Sequence, residues 1–413
     1  MLNIIDLFSG AGGLTEGFRS PDFNIIAHVE MDSAASQTLE LRDIYYYLKK
    51  SGNINLYLDF MHNNLSFTEL KKSVQSELTS SVINEAIGAI TLPEIMSQID
   101  QKLAGRKVHG VIGGPPCQAY STVGRKRNES KKATDERIYL YKYYINFLEK
   151  YQPDFFLFEN VRGLLSFKDI NNELLFNKIL NDFQSMTPSY IVKWKLLNAS
   201  DYGVPQSRRR LFLFGYREGL KSIELFEHLQ TQQAPSIREL FRDLPTIAAG
   251  ETANYYNTQS PSEYVKQYLR SENVPLTWNV SRPNNPRDLE IYKIAAKLRQ
   301  KGKILSYPDL PVSLRTQHPE GFTDRFKAIP FDGISQTVVA HIAKDGHYYI
   351  HPDARQNRSI TVREAARIQT FPDDFVFMRS RTDAFKQIGN AVPPHLAKQF
   401  GQIIAQQKKK FID

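Results

Sequence analysis

The sequence predicts an α/β fold: a mostly parallel sheet in one larger unit, joined to a smaller, irregular one. Three observations predict it. Short apolar runs alternate with amphipathic helical stretches up to about residue 214, the pattern of parallel strands linked by helical crossovers. A glycine-rich turn, Ser9-Gly10-Ala11-Gly12-Gly13, follows the first apolar run. Beyond residue 223 the rhythm is broken by Pro235, Pro245, Pro275, Pro283, Pro286, Pro308 and Pro311. A length of 413 residues is itself more than one ordinary core, so two domains are expected.

Residues 2–8 read as a buried strand. The glycine turn leads into a short helix ending at Pro21, and residues 24–29 form a second strand that stops at Glu30. Further strands are predicted at 108–112, 154–158, 191–197 and 211–214, with helices at 139–150 and 173–183. Residues 41–105 are too long for a simple crossover and read as an insertion or lid. Lys408-Lys409-Lys410 reads as a solvated helix end.

Hydrophobic content of 41% with 23% charged residues places the chain among soluble globular proteins. No apolar run reaches the roughly 20 residues that span a bilayer, and the N-terminus meets Asp6 without a basic segment, unlike a secretory signal. Cys117 is the only cysteine, which excludes an internal disulfide and a cysteine-rich zinc cluster and fits a reducing, cytoplasmic setting. The net charge of +9 points to a polyanionic partner.

Four segments carry chemistry. The glycine turn lets backbone approach a nucleotide-like ligand, as in Rossmann-like sheets, and Glu30 at the next strand end is placed to hold ribose hydroxyls. Cys117 follows Gly113-Gly114-Pro115-Pro116 just past a buried strand, where α/β sheets present ligands. Arg125, Lys126, Arg127, Lys131 and Lys132 follow it, a positive field that lowers a thiol pKa and grips phosphates. Glu159 ends the apolar run 155–158, where burial would raise its pKa for proton donation. Gln206-Ser207-Arg208-Arg209-Arg210 leads into a strand on which Arg208 and Arg210 share a side.

Together these segments resemble the cytosine-C5 DNA methyltransferase family, in the family's motif order. Residues 6–13 are similar to its first cofactor motif and Gly114–Ser121 to its nucleophile motif. Glu159-Asn160-Val161 and Gln206-x-Arg208-x-Arg210 resemble its base-binding motifs. Residues 363–372 resemble the segment supporting the recognition domain, and Gln387–Pro394 the last motif. The resemblance implies a catalytic domain of residues 1–222 and 384–413, with 41–105 inserted. Residues 223–383 would be the target-recognition domain and its supporting segment.

The resemblance also implies the roles. Cys117 is the nucleophile, Glu159 the proton donor at N3, and Arg210 the holder of the O2 carbonyl. Arg208 ties the site together and Asn160 orients backbone around a flipped base. S-Adenosyl-L-methionine is the implied cofactor, bound by Asp6, Phe8, Gly10, Gly12, Glu30, Met31, Pro116, Leu140 and Asn390, with no metal. Ser121, Arg125, Lys126 and Arg127 would meet phosphates of double-stranded DNA. A monomer is implied, beside a restriction endonuclease that is a functional rather than physical partner. One departure stands out: Ala89 occupies the position aligned with an acid that contacts the adenine amino group. Transfer RNA as substrate, a silent DNA-binding paralogue and a nicotinamide- or flavin-dependent oxidoreductase are the alternatives. The glycine spacing speaks against the last, and the sizeable domain after Gln206 favours DNA over transfer RNA.

Overall fold

The computed structural model describes residues 1–74, 81–116, 135–315 and 324–411. Seven strands form one sheet: β1 (Leu2–Leu7), β2 (Phe23–Val29), β3 (Val82–Ile83), β4 (Gly110–Gly113), β5 (Phe155–Val161), β6 (Tyr190–Asn198) and β8 (Arg209–Arg217). Their order is β3-β2-β1-β4-β5-β8-β6. Only the pairings made by β8 are antiparallel, so the sheet is mostly parallel and Rossmann-like. A separate two-stranded pairing joins β7 (Gln206–Ser207) to β9 (Ser335–Gln336).

Alternation along the strands builds two cores, because successive side chains face opposite sides of a sheet. Ile5, Leu7, Val111, Phe156, Phe158, Leu211 and Leu213 lie in one cluster. It is completed by α4 (Leu92–Leu103), α5 (Leu140–Tyr151) and α6 (Leu175–Ser185). Leu2, Ile4, Ile112, Phe155, Leu157, Phe212 and Phe214 lie in the other, with the C-terminal residues Leu396, Phe400 and Ile404. The last three lie on a helix over Pro394–Gln406. Each fully buried Leu or Phe of these layers contributes about 1.5–3 kcal/mol.

Three elements differ from the sequence reading. The helix expected after the glycine turn is a single 3-10 turn, Thr15–Phe18. The third strand, β3, was not anticipated: two residues leave too little alternation to detect. Residues expected to form an insertion or lid begin inside α1 (Ser33–Ser51), followed by α2 (Asn55–Met61) and α3 (Phe67–Lys72). Leu41, Ile44, Tyr45, Leu48, Tyr57, Met61 and Leu70 of these helices cluster with Val274. Arg42 is buried between Glu16 and Asp374, with ion pairs of 2.8 Å to each, and the Tyr57 hydroxyl donates to the Asp374 carbonyl at 2.8 Å. These contacts join the helices to the 3-10 turn after β1 and to residues 374–378. Among the described residues, no helix is long and apolar enough to cross a membrane.

Candidate active site

The strand ends converge on two glycines. A Cβ on Gly113 would lie 1.9 Å from the Leu7 carbonyl oxygen, and one on Gly114 would lie 2.0 Å from that of Glu159. Only glycine lets the chain leaving β4 pass so tightly between the ends of β1 and β5. Pro115 and Pro116 then fix its direction. Cys117, Ser121, Arg125, Lys126 and Arg127 lie outside the described residues; Pro116, half-buried, is the last described residue before them.

Glu159 stands on β5 beside this crossing. Antiparallel pairing sets Val161 opposite Arg210 on β8, which brings Arg210 Nε to 3.0 Å from Glu159 Oε1. Both side chains are largely covered, at 17% and 14% exposure for glutamate and arginine. Burial raises the Glu159 pKa above the ordinary carboxylate value, with Arg210 and then Arg208 opposing it. Such a carboxyl holds its proton to higher pH and can deliver it to a ring nitrogen, while the guanidinium can take a carbonyl oxygen. Asn160 is buried. Its Oδ1 accepts from the Val161 N–H at 2.8 Å, and its Nδ2 is buried with no partner among the described residues.

Arg208 and Arg210 part company. The break between β7 and β8 falls at Arg208, which is 1% exposed and donates to the Val338, Gly389 and Ala391 carbonyls at 2.7, 3.1 and 2.8 Å. It grips the two carbonyls that flank Asn390, whereas Arg210 faces Glu159.

The glycine loop forms the other half. Phe8, Gly10 and Gly12 have φ of 55°, 55° and 81°, a conformation that leaves the space beside Gly10 open. Glu30, at the end of β2, accepts from the Gly10 N–H through Oε2 and the Asp32 N–H through Oε1, each at 2.7 Å. Burial raises its pKa above the ordinary range. Asp6 is buried on β1; Oδ2 accepts from the Thr15 hydroxyl and lies 3.2 Å from His28 Nδ1, while Oδ1 is buried with no hydrogen-bond partner among the described residues. Met31 is 65% exposed beside Glu30. Leu140 begins α5, half-buried, and Asn390 is exposed at the end of the helix Arg381–Asn390. The C-terminal segment closes against the loop, since a Cβ on Gly13 would meet the Val392 carbonyl oxygen at 2.3 Å.

Comparison with known proteins is decisive at this point. The model of C-5 cytosine-specific DNA methylases matches residues 2–57 and 61–406. The chain belongs to that family. It is 36% identical over 428 residues to the type II methyltransferase M.Bpa9945I of Bacillus paralicheniformis, covering 95% of this chain and 96% of the relative. It is 30% identical to the type II methyltransferase M.DdeI of Desulfomicrobium norvegicum, covering 98% and 88%. A crystal structure described as a DNA modification methyltransferase encoded within an E. coli prophage shares the fold with a TM-score of 0.63, 23% identity, and coverage of 98% and 99%. The protein is therefore a C-5 cytosine DNA methyltransferase, an enzyme that requires a methyl donor and acts on DNA.

The sequence reading missed a buried charged cluster around Asp6. His28 lies between Asp6 and Asp43, and Arg19 pairs with Asp43 at 2.5 Å. Burial works against the imidazolium, but the Asp43 and Asp6 carboxylates outweigh it and raise the His28 pKa. A histidine inside the apolar run 23–29 was the available signal, because a buried imidazole needs polar partners. The expected Ala89 departure also changes. β3 ends at Ile83, so Asn84 and Glu85 directly follow the third strand, and Ala89 lies in the turn before α4. Asn84 Nδ2 donates to the Glu30 and Met31 carbonyls at 2.9 and 3.1 Å.

Proposed function

We propose that this methyltransferase flips a cytosine out of double-stranded DNA and methylates its C5 through a covalent Cys117–C6 adduct. The Glu159–Arg210 pair at the end of β5 carries this reading. Cys117 Sγ adds to C6 as Glu159 donates a proton to N3, and Arg210 holds O2, so electron density rises at C5. S-Adenosyl-L-methionine, when bound, supplies the electrophilic methyl group. Loss of the C5 proton to water, expulsion of the Cys117 thiolate and return of the N3 proton to Glu159 restore the aromatic ring and the starting carboxyl. Asn160 offers its Nδ2, unpartnered among the described residues, to the backbone around the extruded base. The cost of extrusion is a few kcal/mol, offset by contacts from Ser121, Arg125, Lys126 and Arg127 to phosphates.

The cofactor-side residues fit S-adenosyl-L-methionine. Asp6 Oδ1 is a buried acceptor with no hydrogen-bond partner among the described residues, and the backbone beside Gly10 is open. Glu30 would hold the ribose and exposed Met31 would cover the adenine, with Phe8, Gly12, Pro116, Leu140 and Asn390 completing the pocket. Glu85, directly after β3, would meet the adenine amino group in place of the acid that Ala89 replaces. Residues 1–222 and 384–413 would form the catalytic domain and 223–383 the target-recognition domain. The enzyme would work as a cytoplasmic monomer beside a cognate restriction endonuclease, as the type II relatives' names suggest.

Tritiated methyl transfer from S-adenosyl-L-methionine to duplex DNA, with transfer RNA in parallel, tests the substrate. Label on DNA at one sequence context, read by bisulfite sequencing, is expected; label on transfer RNA alone would overturn the reading. Cys117→Ser should abolish transfer while cofactor binding persists, and a fully active serine variant would remove the nucleophile assignment.

A further inference from the structure

A buried polar layer runs from the start of β7 to the cofactor side. Gln206 and Gln369 are fully buried. Gln206 Nε2 donates to the Ile368 carbonyl at 3.1 Å and to Gln369 Oε1, while its Oε1 accepts from the Val338 N–H at 3.0 Å. Gln369 Nε2 donates in turn to the Ala391 carbonyl at 2.5 Å. Arg208 takes that same carbonyl and the one at Gly389. The final carbonyls of a helix have no partner within it. Here side chains from two distant segments supply one, and the cation also suits the negative end of the helix dipole. A Cβ on Gly389 would lie 2.2 Å from the Ala340 nitrogen, so the helix end is clamped on its other side as well. The one exposed residue in this arrangement is Asn390, its backbone held before and after.

We propose that Gln369, backed by Gln206, is a positioning residue for cofactor binding: the pair fixes the backbone that presents Asn390 to S-adenosyl-L-methionine. This rests on the reading of Asn390 as a cofactor contact. Neither glutamine touches the reacting atoms. A glutamine suits the task because its amide donates to Ala391 and accepts from Gln206 at once, and loss of the donor leaves the Ala391 carbonyl to Arg208 alone.

Gln369→Met in the full chain keeps the length and removes both polar atoms. Calorimetric binding of S-adenosyl-L-methionine and steady-state methyl transfer to duplex DNA are the readouts. Loss of one buried hydrogen bond predicts about a tenfold rise in the Kd and KM for S-adenosyl-L-methionine, with kcat at saturation and DNA affinity within about twofold of wild type. Gln206→Met should move the same constant, and the double variant should be no worse than the more severe single one, as expected for groups acting through one contact. Gln369→Leu, which removes both polar atoms with less bulk, carries the test if Gln369→Met does not fold. Unchanged cofactor affinity in a folded variant overturns the proposal, and so does a parallel fall in kcat and in affinity for DNA. A wild-type protein that binds no S-adenosyl-L-methionine would instead sink the underlying reading of the site.

Discussion

Glu159→Gln separates the chemistry of the site from its architecture. Glutamine keeps the shape of the side chain and an oxygen for Arg210, whose Nε lies 3.0 Å from Glu159 Oε1, but it has no proton to give. Positioned acid catalysis is worth about 10²–10⁴ in rate, so kcat should fall at least about a hundredfold. Stability should move the other way. The folded pKa of Glu159 stands above its unfolded value because burial penalises the charge. The native state therefore binds the extra proton between the unfolded and folded pKa values, and stability falls as pH rises through that window. Replacing the carboxylate by an amide removes this penalty at neutral pH. Part of the gain is offset by weakening a charge-assisted hydrogen bond, by about 1–2 kcal/mol. The variant should melt close to or above the wild type while losing activity. The wild-type rate at saturating DNA and donor should decline as pH rises through the raised Glu159 pKa, and the variant should lack that limb. Methyl-transfer rates across pH and thermal melts of both proteins measure this. A glutamine variant within about fivefold of wild-type kcat, or one with lost activity explained by an equally large loss of melting temperature, would refute the reasoning.

Three further perturbations probe the surroundings. Glu30→Ala removes both acceptors that hold the Gly10 and Asp32 N–H groups; calorimetry should show cofactor affinity reduced about 10- to 100-fold, as for two charge-assisted bonds, with DNA affinity unchanged. Gly114→Ala places a methyl group 2.0 Å from the Glu159 carbonyl oxygen; denaturant melts should record a loss of about 1–3 kcal/mol from overpacking, with activity falling further because Glu159 is displaced. Arg42→Met strands Glu16 and Asp374, both buried, and urea unfolding should register a loss of about 3–5 kcal/mol. Net attraction to Arg42 outweighs burial and lowers the wild-type Glu16 pKa, so its contribution is present above the unfolded pKa and lost as pH falls through the folded one. The gap between variant and wild type should therefore narrow in acid.

Much of the sheet was legible because its strands are buried on both faces and read as continuous apolar runs, as in Phe155–Phe158. Glu30, Glu159 and the glycine loop were legible because they sit where those runs end, and strand ends in a parallel sheet share one edge. β3 was not: Val82–Ile83 is too short to carry a pattern, and it owes its place to pairing with His28 and Val29. The sequence reading therefore placed Ala89 by motif alone, whereas β3 ends at Ile83 and Ala89 lies in the turn before α4.

The polar interior was illegible for a different reason. Arginines are expected at the surface, yet Arg208, Arg358, Arg363 and Arg367 are all buried, each held by partners that periodicity cannot supply. Arg367 pairs with Asp243 and Asp373, and Gln206 with a glutamine 163 residues away. Such groups are tolerated in a low-dielectric interior only when their hydrogen bonds are met with good geometry. That condition makes them sensitive to the relative placement of the segments they join. Arg208 shows the consequence. Its neighbour Arg210 turns to Glu159, while Arg208 itself holds the carbonyls around Asn390. Two residues apart in sequence, they anchor Glu159 and the helix end at Asn390 to one short stretch of chain.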